Sequence, residues 1–330
     1  MAVMEFELIE RYFRAAGSER DDVILGVGDD AAILSPPVGH ELVVSTDTLV
    51  SGVHFFPDVD PCSLGHKALA VNLSDLAAMG AQPAWVTLAL TLPAVDEQWL
   101  SEFSLGFSKL ASLHGVQLIG GDTTSGPLSI TVQVMGFVGQ GKAWRRDEAK
   151  PGDLIYVTGT LGDAGLALQA KQQSLMFPQN HLDALLARLE KPTARIAEAQ
   201  ALLGKVNAAI DLSDGLLSDL GHILKASGVG AVIELEALPL SPAFLACQQE
   251  PAAQQLSEQC WQALPLSAGD DYELCFTISP DKQCEVEWLL QQQGNVAHRI
   301  GVIDNDDGLR CTQRNGELLH IEKQGYEHFR

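Results

Sequence analysis

The sequence is poor in basic residues. Its 330 residues include 21 Lys and Arg against 43 Asp and Glu, which gives a formal net charge of −22. A chain this acidic is repelled by phosphate backbones and by anionic lipid, so neither nucleic acid nor a membrane is expected to be its main partner. Hydrophobic residues make up 46% of the chain, which is ample for folding, and the length favours two domains.

Export, membrane and disulfide signals are also missing. Glu5, Glu7 and Glu10 stand where a secretory signal needs basic residues followed by an apolar run. Glycine and proline interrupt the longest uncharged apolar stretch, 76–95, so it predicts a helix end, a turn and a strand. The six cysteines form no CxxC pair and are expected to be reduced thiols. We therefore expect a soluble, cytoplasmic protein.

Several well-known site signatures are absent. The sequence has no GxxxxGK[ST] phosphate loop, no GxSxG elbow and no HExxH metal site. The glycine-rich segment 159–165 lacks GxGxxG spacing and predicts a strand-to-helix turn. The acidic segment 304–308 has Arg314 where a calcium loop requires Glu, so it predicts an exposed turn.

Helix and strand patterns interleave along the chain. The predicted helices cover 5–16, 64–79, 97–113, 195–203 and 214–226, with another from about Gly165. The predicted strands cover 42–44, 84–92, 128–134, 154–157 and 273–278, with another near Val232. A turn at Lys150–Asp153 separates the halves, so we expect two α+β or α/β domains, 1–149 and 150–330.

Aspartates beside glycine or small hydroxyl residues recur in six motifs. These are Gly26–Asp30, Ser45–Thr48, Asn72–Asp75, Gly120–Thr123, Asp211–Gly215 and Ala268–Glu273. Taken singly, each is more typical of a turn, and Ser213 with Asp214 is typical of a helix N-cap. Five of them follow or end strand-like runs, least clearly 260–266, so their carboxylates would gather at strand ends and repel one another without cations. Together the motifs predict a site for Mg²⁺ and phosphate.

The positions of the few basic groups matter for such a site. Arg145 and Arg146 could reach polyphosphate, although an interdomain salt bridge explains them equally well. His54 follows the Asp47 motif and could meet an anionic or aromatic substrate, although a core or capping histidine is the simpler interpretation. Lys67 is interpreted as structural.

The motifs together resemble the thiamine-monophosphate kinase family of the aminoimidazole ribonucleotide synthetase-like (PurM-like) superfamily. The segments are GVGDDAA, VSTDTLVSGVHF, KALAVNLSDLAAMGA, LIGGDTT, AIDLSDGL, DDYEL and the ending GYEHF. The resemblance runs in consistent order from about residue 5 to 329. It implies transfer of the γ-phosphoryl group of ATP to thiamine monophosphate, with several Mg²⁺ ions, giving thiamine diphosphate and ADP.

The same resemblance implies an architecture. Residues 1–149 would form an ATP- and Mg²⁺-binding domain that dimerises through a shared β-barrel. Residues 150–330 would form a C-terminal α/β domain that completes the thiamine phosphate and nucleotide site. No general base is expected, because the attacking phosphate oxygen is already ionised near neutral pH.

Individual roles follow by motif. The implied metal ligands are Asp30, Ser45, Thr46, Asp47, Asp75, Asp122, Asp211 and Asp214. The implied ATP contacts are Gly121, Asp122, Arg146 and Ser213. The implied thiamine phosphate contacts are His54, Asp270 and Tyr326. Two residues depart from the family pattern: Asp270 replaces the usual Glu, and His114 replaces a common Tyr and is left out of the site.

Other interpretations stay open at this point. A selenophosphate or purine-pathway type synthetase would share the superfamily, but a selenophosphate synthetase needs a reactive cysteine near the N-terminus and the first here is Cys62. Hydrogenase-maturation relatives end in a functional cysteine, whereas this chain ends in Phe329 and Arg330. A non-catalytic acidic protein that binds divalent cations is allowed by composition alone.

Overall fold

The structure, a computed structural model, describes residues 5–313 and 317–319. The chain divides into two compact units. The first runs to Leu76 and includes Ala81–Ala143, and the second consists of Ala77–Gly80 with the residues from Trp144 onward. Within the described ranges no helix combines the length and apolarity that a membrane span needs.

The first unit is built on a four-stranded sheet. Its elements are α1 (Glu5–Leu8, continued by a π-helical turn Ile9–Phe13), β1 (Val23–Leu25), β2 (Ile33–Leu34), β3 (His40–Val50), α2 (Pro61–Ala78), β4 (Gln82–Leu92), α3 (Glu97–Leu113), β5 (Gln117–Ser125) and β6 (Ser129–Gly139). The strand order is β3-β6-β4-β5, with β4 and β5 parallel and the other pairs antiparallel. The predicted helices and strands of this half are confirmed, α3 with the predicted bounds.

Two glycines let α2 and α3 cross at very short range. A Cβ on Gly65 would overlap the carbonyl of Phe103, and one on Gly106 would overlap the carbonyl of Cys62. Only residues without a side chain allow backbones to approach so closely. Nearly all of α2 is buried as a result, so the helix that carries Asn72 and Asp75 is firmly held.

The second unit contains a seven-stranded sheet and seven helices among the described residues. Its elements are β7 (Leu154–Thr158), α4 (Asp163–Gln173), α5 (Gln179–Glu190), α6 (Ile196–Ala201), β8 (Ala208–Asp211), α7 (Leu216–Ser227), β9 (Gly230–Glu234), α8 (Pro242–Cys247), α9 (Glu258–Ser267), β10 (Leu274–Ile278), α10 (Gln283–Gln292), β11 (Ala297–Asp304), β12 (Leu309–Thr312) and β13 (Leu318–Leu319). The strand order is β13-β12-β9-β11-β7-β10-β8. Strands β7, β10 and β8 are buried along their whole length, which matches their largely apolar sequences.

Two local predictions in this unit are wrong. Segment 260–266 belongs to helix α9, because Ser257 caps that helix by accepting a hydrogen bond from the Cys260 N–H at 3.1 Å. Ser213 is not the N-cap of α7: that position is Gly215, with φ 108°, and the helix begins at Leu216. The predicted turns at 159–165 and 304–308 are confirmed as the β7–α4 and β11–β12 connections.

Candidate functional site

Strand β3 and helix α2 bring three predicted metal ligands together in the first unit. Side chains alternate along a strand, so Ser45 and Asp47 share one face of β3. The Ser45 hydroxyl donates to Oδ2 of Asp75 at 2.5 Å, and the Asp47 N–H donates to Oδ1 of Asn72 at 3.1 Å. Asn72 is itself held by a 3.0 Å bond from its Nδ2 to the Ala68 carbonyl. Asn72 is thus a positioning group that the motif reading left without a role.

The opposite face of the same sheet carries Thr46 and Asp122. Asp122 is in register with Ala89 of β4, which pairs with Thr131 of β6, which in turn pairs with Thr48 of β3. Asp122 therefore lies on the edge strand β5, three strand spacings or about 14 Å from β3. Within this chain, the sheet separates Asp122 from the Ser45, Asp47 and Asp75 set.

The expectation that the carboxylates gather at strand ends is wrong for most of them. Asp270 follows helix α9, and Asp75 lies in α2, as the helix pattern over 64–79 predicts. Asp47 and Asp122 lie inside strands β3 and β5. Both strands continue through polar residues because their backbones pair with β6 and β4. Asp211 does end its strand, β8.

His54 lies in a tight turn that follows β3. The Val50 N–H donates to Nδ1 of His54 at 3.0 Å, so the neutral ring carries its proton on Nε2. The turn is closed by a 2.9 Å bond from the Gly52 N–H to the Phe55 carbonyl. Lys67, which is 3% exposed, donates to the His54 carbonyl at 3.4 Å. The capping role considered for His54 is therefore real, and the ring is held in one orientation and one tautomer.

Two other predicted site residues of the first unit, the metal ligand Asp30 and the ATP contact Gly121, are exposed. Asp30 lies in the connection between β1 and β2, where its N–H donates to the Asp29 carboxylate at 2.8 Å. Gly121 is packed so closely on β4 that a Cβ would overlap the Leu88 carbonyl. A larger residue at 121 would push β5 away from β4.

In the second unit, two predicted site loops are joined by backbone hydrogen bonds. The Asp270 N–H donates to the Ser213 carbonyl at 2.9 Å, and the Tyr272 N–H donates to the Leu212 carbonyl at 2.8 Å. The Leu212 N–H returns a 2.8 Å bond to the Glu273 carbonyl. The loop predicted to contact metal and ATP is thus fastened to the loop predicted to contact thiamine phosphate.

Glycines make this close approach possible. A Cβ on Gly269 would overlap the Ser213 carbonyl, and a Cβ on Gly215 would lie 2.7 Å from the backbone carbon of Ser267. Gly215 also has φ 108°, which L side chains rarely adopt. The glycines of these motifs are therefore explained by loop-to-loop packing.

Asp219, which the sequence motifs did not single out, supports the loop that contains Ser213 and Asp214. Its buried carboxylate accepts hydrogen bonds from the N–H groups of Asp214, at 3.0 Å, and Gly215, at 3.1 Å. Burial raises the pKa of Asp219 to about 7, opposed by these bonds and by the charge of Arg146 and reinforced by the charge of Asp214. The only sequence signal was an acidic residue in the first turn of α7.

The donor chemistry of the first unit suits Mg²⁺. In the part of the chain that the structure describes, no three His, Cys, Asp or Glu side chains form a ready-made metal site. Ser45, Asp47 and Asp75 are partly exposed and offer hard oxygen atoms. Mg²⁺ characteristically takes one or two carboxylates and completes its shell with water and substrate phosphate. These residues therefore fit a cation that arrives with a phosphate ligand. Tyr326 lies outside the described residues.

Comparisons with known proteins cover almost the whole chain. The family models "AIR synthase related protein, N-terminal domain" and "AIR synthase related protein, C-terminal domain" match residues 28–138 and 150–313. A thiamine-monophosphate kinase of Escherichia coli (strain K12) is 51% identical over 332 residues, which cover 100% of this chain and 99% of that protein.

Solved structures show the same likeness. The crystal structure of thiamine-monophosphate kinase from Stenotrophomonas maltophilia K279a has a TM-score of 0.83 at 45% identity and covers 91% of this chain and 93% of its own. A structure described as AaThiL complexed with AMPPCP and TMP has a TM-score of 0.77 at 28% identity and covers 92% of each chain. Both the sequence and the fold of this chain are therefore similar to those proteins along most of their length.

Proposed function

The chain belongs to the thiamine-monophosphate kinase family of AIR-synthase-related proteins, and on this premise we propose that it transfers the γ-phosphoryl group of ATP to thiamine monophosphate. The products are thiamine diphosphate and ADP. Membership confirms the PurM-like two-domain fold. The observation that carries the proposal is 51% identity over the full length to a thiamine-monophosphate kinase. A more distant relative complexed with AMPPCP and TMP supports the same pair of substrates.

The chemistry joins two phosphates, so charge neutralisation is the main catalytic requirement. Ser45, Asp47 and Asp75 would hold Mg²⁺, which when bound neutralises phosphate charge and orients the transferred group. Thr46 and Asp122, on the other face of the sheet, together with Asp30, Asp211 and Asp214, are proposed as oxygen ligands of further Mg²⁺ ions. The acceptor phosphate oxygen needs no general base, because it is already ionised near neutral pH. It attacks the γ-phosphorus of ATP in line with the bond to ADP, and ADP leaves.

The remaining assignments bind and orient the two substrates. His54, held with its proton on Nε2, would donate a hydrogen bond to an oxygen of the acceptor phosphate. Asp270 would contact the same substrate, as would Tyr326. Gly121, Arg146 and Ser213 would contact ATP, with Arg146 close enough to Asp219 to lower the pKa of that carboxyl.

We also propose that the protein works as a homodimer in the cytoplasm. Leu42 and Val44, on the edge strand β3, are 49% and 48% exposed, and an apolar edge of this kind commonly pairs with another chain. The six cysteines all lie in the described residues and none forms a disulfide, which suits a reducing compartment. Light scattering at micromolar concentration should give about twice the 35.4 kDa mass of one chain.

The direct test is turnover of purified protein with ATP, Mg²⁺ and thiamine monophosphate, followed by chromatography of thiamine species and ADP. We expect thiamine diphosphate and ADP in equal amounts. Consumption of ATP only with another acceptor would instead support a synthetase of the same superfamily. Cation binding with no ATP consumption would support a non-catalytic cation-binding protein.

Asp75→Asn tests the metal assignment. The amide can still accept the hydrogen bond from Ser45 but is a far weaker Mg²⁺ ligand, so we expect folding to persist and turnover to fall by about a thousandfold or more. Ser45→Ala, which removes the neighbouring hydroxyl and leaves the carboxylate, should retain far more activity. Wild-type turnover by Asp75→Asn would remove this residue from the mechanism.

A further inference from the structure

The turn that carries Asp270 is held in an unfavourable backbone conformation. Asp270 has φ 68° and Tyr272 has φ 48°, both in the left-handed region that non-glycine residues rarely adopt. Among the described residues only Ser174, at the C-cap of α4, shares this property. Such strain persists only where the surrounding structure imposes it, and it is concentrated at functional sites.

Asp271, between the two strained residues, is anchored in the interior. Its side chain is 3% exposed, and both carboxylate oxygens accept from the Gly162 N–H, at 3.1 and 3.0 Å. Arg188 donates to the Asp271 carbonyl at 3.4 Å. The middle of the turn is therefore fixed by its side chain and by its backbone.

Glu273, the next residue but one, is a second and stronger anchor. It is fully buried and accepts a hydrogen bond from Nη2 of Arg188. Arg195 donates to it from Nε and from Nη2, both at 2.5 Å. Thr158 also donates to it at 2.6 Å. Arg195 is balanced in turn by Glu198 at 3.1 Å.

Arg188, Arg195, Glu198 and Glu273 form a cluster of buried ion pairs, and such clusters contribute little net stability to a fold. Two arginines and two glutamates taken out of water incur a large desolvation cost, and apolar side chains of similar volume are often as stabilising. What ion pairs provide instead is directional contact. Here the contacts bracket Tyr272 with buried anchors on both sides.

On the premise of the kinase function proposed above, we propose that Arg188, Arg195 and Glu273, together with Asp271, are positioning residues that hold the Asp270–Tyr272 turn in the conformation that binds thiamine monophosphate. They act through Asp270 and do not touch substrate themselves. Because Asp270, the proposed contact to thiamine monophosphate, lies in the turn itself, loosening the turn should affect the acceptor first. ATP should be affected less, since Ser213 feels the change only through the hydrogen bond from the Asp270 N–H.

Arg188→Lys is the most informative variant. It keeps the positive charge beside Glu273 and loses the fork-shaped guanidinium that also reaches the Asp271 carbonyl. We expect the KM for thiamine monophosphate to rise about tenfold, while the KM for ATP changes less than about twofold. Amide hydrogen exchange in segment 268–273 should become faster. Glu273→Gln should show the same pattern more strongly, where it folds.

Tyr156→Phe is the matched control. It removes a partly buried 2.8 Å hydrogen bond to Glu287 from β7 of the same sheet but does not touch the turn. We expect a lower Tm with unchanged KM values and unchanged exchange in 268–273. If Arg188→Lys behaves like this control, the cluster is purely structural and the positioning role is wrong.

The two proposals fail in different ways. Absence of thiamine diphosphate formation by the wild-type protein would reject the kinase function whatever the variants do. A wild-type enzyme that is active, with an Arg188→Lys variant that keeps the wild-type KM for thiamine monophosphate, would reject only the positioning role.

Discussion

Replacing Asp219 by Asn should remove a pH-dependent loss of stability. The Asp219 carboxylate is 2% exposed and accepts the N–H groups of Asp214 and Gly215 at the start of α7. An amide oxygen can accept these bonds without placing a charge in the interior. The substitution therefore keeps the cap and removes the cost of ionisation.

The size of the effect follows from the pKa of Asp219, which burial raises from 3.8 to about 7. Because the native protein holds this proton more tightly than the unfolded chain, the resulting stabilisation is complete below pH 3.8 and is lost as the pH rises toward 7. Between pH 5 and 8 the native carboxyl must ionise in a buried position while the unfolded one is already charged. The wild-type free energy of unfolding should therefore fall by about 3 kcal/mol relative to Asp219→Asn.

Urea unfolding followed by circular dichroism at pH 5, 6, 7 and 8 measures this difference. EDTA should be present so that divalent cations do not bind the neighbouring acidic loop. Asp219→Ala is the control, because it loses the acceptor as well as the charge: it should be less stable than Asp219→Asn at every pH, with an equally small pH dependence. Parallel profiles for the wild type and Asp219→Asn would show that Asp219 is ionised without penalty.

Two further substitutions test the turn at His54 and the packing of the paired loops. His54→Ala deprives the Val50 N–H of its acceptor and removes the proposed hydrogen-bond donor to the acceptor phosphate. The KM for thiamine monophosphate should therefore rise about tenfold or more, with little change in the KM for ATP. Equal increases in both KM values would contradict the assignment. Gly269→Ala places a Cβ against the Ser213 carbonyl and should lower Tm by several degrees. Gly221→Ala is the control: it lies in α7 with open space around its Cβ and should leave Tm unchanged or raise it slightly. A wild-type Tm for Gly269→Ala in thermal unfolding would show that the loops are less closely packed than described.

Much of the secondary structure could be predicted because it depends on residues that are close together in sequence. Helix α3 begins after Asp96, which accepts hydrogen bonds from Gln98 and Trp99, and its apolar residues recur at helical spacing. The alternation in 128–134 predicts β6 for the same reason. These signals depend only on near neighbours in sequence.

Pairing between distant segments could not be predicted in this way. The apolar run 42–44 ends before Ser45, so the pattern predicts a strand that stops there, but β3 continues to Val50 by pairing with β6. That extension decides which face each side chain occupies. It turns Ser45 and Asp47 toward α2 and places Thr46 on the other face, although the resemblance implies metal contact for all three.

Asp270 and Asp271 are adjacent in the same acidic motif, but the fold gives them different surroundings. Sequence reasoning treated the acidic character of this motif as chemistry available to a ligand, yet Asp271 is directed inward to the Gly162 N–H and Glu273 is neutralised by arginines 78 and 85 residues away in sequence. No local pattern reveals such partners. The net charge of −22 therefore contains at least one group of acidic residues that no cation needs to neutralise, because the fold already pairs them. Asp47 and Asp75 lie at partly exposed positions, so a cation can reach this part of the chain, whereas the fold itself closes off Asp271 and Glu273.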